Sequence, residues 1–308
     1  VVAGLPAAPG DPIDRTIFND SWLLNQTGEL SEMAEITATA VKALRERTGL
    51  PMMDCKRALT ECAGNEEAAV DWLRKQGLKT LEKRSGRETD FGRMGIFADL
   101  SAPRGAMVEL KCESAPVAGH DEFVQLANDL ARQLAMGPGA ATADGLLDQP
   151  SPSKRGSTLR DQKDELFNRI REVFNIGRLV RFDGPCGGYS HNAGTVSGVL
   201  LEVRGKDAEA ARDICMHIAA MRPKALQVDD LDPVLVARER DVLTEAARKE
   251  GKPENIIGKM VEGRLRNFYA ESVLLEQPFV KDDKQTVGQF AKSRGLEIVQ
   301  FAHWELGR

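Results

Sequence analysis

From Thr37 onward, apolar positions recur at three and four residues, through Val41 and Leu44 to Thr48, and Gly49-Leu50-Pro51 stops the pattern. A second helical stretch runs from about Met53, with Asp54 near its start, Ala58, Leu59 and Cys62 inward, and Gly64-Asn65 at its end. A third covers Glu66 to Gln76, with Ala69, Val70, Trp72 and Leu73 apolar and Gly77 as its expected cap. Three short helices this close predict a small bundle, with Trp72 as the expected core anchor. Lys79 to Arg93 is charged and aperiodic, which reads as a linker or an exposed helix. The period then changes to two. Gly95 to Leu100 and Ala106 to Cys112 alternate, with Pro103-Arg104-Gly105 between them, which predicts a β-hairpin. Phe123 to Leu134 follows as an amphipathic helix.

Gly137 to Thr158 is rich in Gly, Ala, Ser and Pro and reads as a long connecting loop. Leu159 to Phe174 is helical. Leu179 to Phe182, Tyr189 to His191 and Gly198 to Val203 are expected to form one three-stranded antiparallel sheet, with Ala208 to Ala220 as its covering helix. Strands followed by a helix occur twice, so the core is expected to be a duplicated α+β unit. Pro233 to Glu250 and Glu254 to Tyr269 are long helices with narrow apolar stripes, joined by Gly251-Lys252-Pro253. Facing stripes and a short turn predict a projecting antiparallel helical hairpin. The chain closes with a helix start at Thr286 to Phe290 and a strand at Ile298 to Ala302.

Composition narrows the function. The 308 residues carry 42 Lys and Arg against 47 Asp and Glu, a formal charge of -5, which argues against a general nucleic-acid binder. Aromatics are only 5%, which also argues against a base-stacking platform. The five cysteines contain no CxxC pair, so a reducing, cytoplasmic setting is expected rather than a disulfide framework. Cys215 and His217 lack the second ligand pair that a closed zinc site needs. No run reaches the roughly 18 apolar residues of a membrane span. Residues 1–32 fit neither a secretory signal nor a transit peptide.

Several blocks carry a resemblance. Val41-Lys42-Ala43-Leu44-Arg45-Glu46-Arg47-Thr48-Gly49 is followed by Met52-Met53-Asp54-Cys55-Lys56. Then come Val108-Glu109-Leu110-Lys111-Cys112-Glu113, Gly188-Tyr189-Ser190-His191 and Met216-His217-Ile218-Ala219-Ala220. The last are Gly251-Lys252-Pro253, Lys259-Met260-Val261-Glu262-Gly263-Arg264 and Gln277-Pro278-Phe279-Val280. In this order, over residues 33 to about 306, the chain resembles the elongation factor Ts family.

The resemblance implies an α+β fold. An N-terminal three-helix ubiquitin-associated-like domain (33–80) and a linker (81–94) are expected to precede two small antiparallel-sheet-plus-helix core subdomains (95–158 and 159–228). An inserted antiparallel coiled-coil protrusion (229–269) and a return to the second core subdomain (270–308) complete it. Residues 1–32, upstream of Met33, are expected to be a disordered or non-native extension. The chain stops at Gly307-Arg308, where some family members continue into a further partner-contacting module, so affinity is expected to rest on the core and the N-terminal helices. The implied activity is not enzymatic and needs no cofactor. It is accelerated release of GDP from the GTPase elongation factor Tu, by disturbance of its magnesium and phosphate site. The implied partner is that protein, without direct nucleic acid or membrane. Whether two copies of each factor assemble into a higher-order complex stays open.

Site residues follow from both readings. Two adjacent methionines, Met52 and Met53, cannot both face one bundle core, so at least one is expected on the surface, and the resemblance makes this edge with Lys56 a partner contact. Ser114-Ala115-Pro116-Val117 aligns with the family's Thr-Asp-Phe-Val segment, which the resemblance makes the magnesium-dislocating tip. Here Ala115 and Pro116 replace the acid and the aromatic, and a rigid, extended apolar tip acting by shape is expected. Thr89-Asp90-Phe91 spells the missing residues but precedes the first strand, which is the wrong sequence context. The resemblance places His191 near the partner's nucleotide side, against the plainer reading of a solvated loop residue. His217 is expected to be structural or partner-facing, and Lys259, Arg264 and Arg266 form a solvated helix face. A binding adaptor without exchange activity, using the three-helix domain, is the rival reading. A Cys/His hydrolase is a poor third, since no nucleophile has an orienting His and acid at a recognisable spacing.

Overall fold

The structure, a computed structural model, describes residues 36–84, 86–192, 195–251 and 253–307, so the expected extension over 1–32 lies outside the described residues. The chain divides into two compact units, with the boundary between Val70 and Asp71.

In the first unit, α1 (Ala38–Thr48) starts where the Thr37 side chain accepts from the Ala40 amide. It stops at Gly49, whose φ of 68° is the left-handed closure that glycine adopts without strain. Next come α2 (Met52–Glu61), begun by Pro51, and the start of α3 (Glu66–Arg84), which from Asp71 on belongs to the second unit. Val41, Leu44, Cys55, Ala58, Leu59 and Ala69 are sealed from solvent. The expected anchor, Trp72, is only half-buried.

Helix α3 runs through Gly77 to Arg84 rather than stopping at Gly77, so the start of the expected linker (81–84) is helical, and its end, from Phe91 on, is strand. Gly77 serves packing, not termination. A Cβ there would lie 1.7 Å from the Asn168 side-chain oxygen.

The second unit is built on two antiparallel sheets. Strands β1 (Phe91–Phe97) and β2 (Gly105–Cys112) form the expected hairpin. The chain then makes the short α4 (Ala115–Ala118), α5 (Asp121–Met136), the short α6 (Ala143–Leu147) and α7 (Leu159–Ile170). It returns as β3 (Asn175–Phe182), which pairs with β2 and not with the strands after it. The expected grouping of Leu179 to Phe182 with the later strands is therefore corrected. The first sheet has the order β1-β2-β3.

The second sheet joins β4 (Cys186–His191) and β5 (Ser197–Arg204) to β8 (Glu297–Glu305), the last strand described. Between β5 and β8 lie α8 (Ala208–Met221), α9 (Pro233–Lys249) and α10 (Glu254–Ser272). A small unexpected hairpin follows, β6 (Pro278–Phe279) with β7 (Asp282–Thr286), and then α11 (Val287–Ser293). Among the described residues, no helix is long and apolar enough to cross a membrane.

Each sheet has its own apolar core. Phe123, Leu126, Leu130, Leu134 and Phe167 pack under the first, and Ile214, Ile218, Phe279 and Val287 under the second. Met94, Met107, Phe182, Cys186 and Leu200 form a third cluster between the sheets. Close approach there needs small residues. A Cβ on Gly198 would sit 2.7 Å from the Met94 Cβ.

An ion pair within the first sheet reaches across this junction through its arginine. Glu109 on β2 is 2% exposed, and Arg178 on β3 grips it with Nη2 at 2.8 Å and Nε at 3.1 Å. The same guanidinium donates to the Glu305 carbonyl of β8 at 2.7 Å and lies 5.1 Å over the Trp304 ring.

Candidate partner-binding surfaces

The end of β2 is braced before the chain turns outward. Cys112 is buried, and burial pushes its thiol up to about 12, which leaves it a packing residue. Partial burial raises the Glu113 carboxyl, but the Val173 amide at 2.8 Å and Arg87 at 2.9 Å prevail and hold it below its usual value. The Ser114 hydroxyl and amide both donate to Glu172, at 2.6 and 3.0 Å. Glu172 stands just past the end of α7, where Arg171 takes the left-handed φ of 66°.

From this anchorage the chain enters α4, with Pro116 in its first turn. Ala115 is helical, so the expected extended tip is corrected. Proline needs no amide partner in a first turn and supplies a preset φ there. Ala115 and Pro116 are exposed, while Val117 turns inward against the first core. The Ser114–Val117 segment is thus a short apolar knuckle on a firm base.

In the first unit, Met52 and Met53 are 50% and 68% exposed. Lys56 is exposed as well and lies four and three residues further along α2, on their face. Thr48, Leu50 and Cys55 satisfy one another behind them.

His191 ends β4, exposed, with its Nδ1 3.1 Å from the Tyr189 hydroxyl. Both line a groove of about 390 Å³ with Ser197, Met216, Arg222 and Glu305. The Arg222–Glu305 ion pair, 2.6 Å, closes one side of it.

His217 cannot make a direct surface contact, which corrects its reading as partner-facing. Its side chain is fully buried. Nδ1 accepts from the Val280 amide at 3.2 Å, so the proton sits on Nε2, 2.9 Å from the Gln277 Oε1. Burial lowers its pKa more than the Gln277 bond raises it. Gln277 in turn donates to the Glu271 carbonyl at 2.9 Å. His217 therefore positions the segment after α10. An amphipathic pattern alone does not reveal which polar residue on a helix is sealed.

Lys259 and Arg266 lie on α10 with Arg264, whose guanidinium holds both Glu250 oxygens at 2.9 Å. Sequence reasoning gave no weight to Glu172 and Arg178. Neither has a local signal, because their partners are 58 and 69 positions away.

Comparison with known proteins adds a family to this geometry. A family profile described as Elongation factor TS matches residues 116–308. An elongation factor Ts of Methylococcus capsulatus is 42% identical over 275 residues, covering 88% of this chain and 92% of that protein. One of Nitratidesulfovibrio vulgaris is 37% identical over 291 residues, covering 88% and 96%. One of Aquifex aeolicus is 39% identical over 280 residues, covering 87% and 96%. The chain belongs to the elongation factor Ts family. Its role is accordingly that of a translation elongation factor in protein biosynthesis. The matched relatives cover the knuckle, the α2 edge and the groove at His191 within one chain of similar length.

Proposed function

We propose that the protein binds elongation factor Tu in its GDP state and speeds GDP release by disturbing the magnesium and phosphate site, so that GTP can reload. The observation that carries this is the exposed Ala115–Pro116 knuckle, held outward by the Ser114–Glu172 bonds in a chain of the elongation factor Ts family. A protein can expel a ligand only if it binds the ligand-free partner better than the liganded one. A 100-fold preference corresponds to about 3 kcal/mol, and a rigid element pushed against a nucleotide site supplies it without chemistry on the exchange factor. The protein is therefore a binding partner rather than an enzyme, and it works in the cytoplasm.

Met52, Met53 and Lys56 supply a second contact with the GTPase. Thioethers adapt to an apolar surface while the ammonium meets acids at its rim. His191 supplies a third contact from the groove at β4.

Release of fluorescent GDP from the cognate elongation factor Tu tests the reading. The expected result is acceleration that saturates with this protein. Tight binding without acceleration overturns exchange and leaves the adaptor function. The double variant Ala115→Asp with Pro116→Phe then reads the knuckle. A large gain marks the native turn as a weak lever, and a loss marks a partner adapted to Ala-Pro.

A further inference from the structure

A serine just before a helix normally turns its hydroxyl back onto the first free amides of that helix. Ser114 stands at this position before α4 and makes no such bond. Its hydroxyl and its amide both donate to Glu172, at 2.6 and 3.0 Å. Its carbonyl accepts from the Cys112 thiol at 3.2 Å. The Ser114 side chain is thus spent on the base of the knuckle rather than on the helix it opens.

Glu172 is itself held from both sides. Arg171, before it, has a φ of 66°, a left-handed value that a residue with a side chain adopts at a cost. The Arg171 carbonyl accepts from Nη1 of Arg84, the last residue of α3, at 2.6 Å. Val173, after it, donates its amide at 2.8 Å to Glu113, the neighbour of Ser114. The ends of α3, α7 and β2 therefore meet at one point. A left-handed residue often does no more than end a helix. Here the turn also delivers a carboxylate to a segment 58 positions away.

We propose that Glu172 and Arg84 are positioning residues for nucleotide release: they stiffen the Ala115–Pro116 knuckle so that an occupied nucleotide site cannot push it aside. This rests on the exchange reading given above and concerns the base of the knuckle, not the groups at its tip. Neither residue touches the partner. A stiff knuckle clashes with a filled magnesium and phosphate site, so it favours the empty state over the GDP state. A yielding knuckle folds away and accepts both states alike, and a ligand with equal affinity for two states shifts nothing. Loosening the base therefore slows release while binding to the GDP complex stays as tight or becomes tighter. Plain loss of structure would weaken both.

The test is fluorescent GDP release from cognate elongation factor Tu, titrated with this protein to give the maximal rate and the half-saturating concentration separately. Glu172→Ala should lower the maximal rate about tenfold, with half-saturation at the same or a lower concentration. Ser114→Ala removes one of the two bonds and should lower the rate less, and adding it to Glu172→Ala should change nothing further. Arg84→Ala, which alters no residue of the knuckle, should show the same split at about threefold. Glu172→Gln keeps the shape and one acceptor, so it should recover part of the rate, and its melting temperature should match that of the unaltered protein. That variant keeps the split readable if Glu172→Ala melts early. Maximal rates within about twofold of the unaltered protein in both Glu172 variants overturn this proposal and leave exchange standing. A rate loss matched by a higher half-saturating concentration also overturns it, because that marks lost contact rather than lost leverage. No acceleration by the unaltered protein overturns both readings.

Discussion

The stacked sheets and the α9–α10 hairpin are held in opposite ways. Each sheet has its own apolar core, and the two share a third cluster and an ion pair that touches β2, β3 and β8. The hairpin has one thin seam, in which Ala247, Ile257, Val261 and Leu265 are buried and Leu243, Phe268 and Tyr269 are half-buried. A small cluster at its base adds Val236, Phe268 and Tyr269 against Ala225, Leu231 and Val273, and surface ion pairs such as Arg248–Glu254 and Arg264–Glu250 complete it. Exposed pairs contribute little. The sheet body therefore behaves as a platform, whereas the hairpin opens and re-forms at lower free energy.

Substitutions can break that contrast. Arg178→Ala leaves the buried Glu109 without its guanidinium partner, and should cost about 3–5 kcal/mol of global stability by denaturant melt. A loss under about 1 kcal/mol would show that the pair is no brace. Leu265→Ala should cost about 2–4 kcal/mol, and hydrogen exchange should place the loss in α9 and α10. An equal loss of protection in β2 and β5 would erase the distinction between the regions.

A change of pH separates them more gently. His217 and His303 are both held below the usual histidine value, mainly by burial. Above about pH 6.5 the rings are neutral whether folded or unfolded, and no stability is lost. As pH falls below that, the unfolded chain takes up protons that the folded rings refuse, so stability declines until the folded rings titrate. His217→Gln should flatten part of this decline, measured as melting temperature against pH.

Smaller effects belong to the hairpin surface. A Cβ at Gly258 or Gly263 would meet no neighbouring atom, so Gly258→Ala and Gly263→Ala should each stabilise α10 by about 0.5–1 kcal/mol. Arg264→Ala should change stability by less than about 1 kcal/mol.

Helix periodicity was legible because each helix satisfies its own backbone. Val41 and Leu44 in α1, and the stripe of Ile257, Val261 and Leu265 in α10, announce buried faces by spacing alone. Strand partnership was less legible. Leu179 to Phe182 alternates as any strand does, and only the packing of α5 and α7 brings it back to β2. The hairpin of β6 and β7 was missed because Asp282-Asp283-Lys284-Gln285 shows no apolar alternation. Of the candidate surfaces, the exposed Met pair could be inferred from geometry within one helix. The bracing of the knuckle could not, since Ser114 and Glu172 are 58 positions apart.

The long insertion has its entry and exit side by side. The Lys224 amide bonds to the Ser272 carbonyl at 2.8 Å, Leu274 to Ala225 at 2.9 Å and Leu275 to Leu226 at 3.1 Å. Ala225 and Val273 form a short parallel bridge there. A chain that leaves and returns at the same doorway closes its loop with no help from what lies outside. Helices α9 and α10 are thus a detachable module. Shortening them by whole turns from the Gly251 end should therefore leave the two sheets packed as they are.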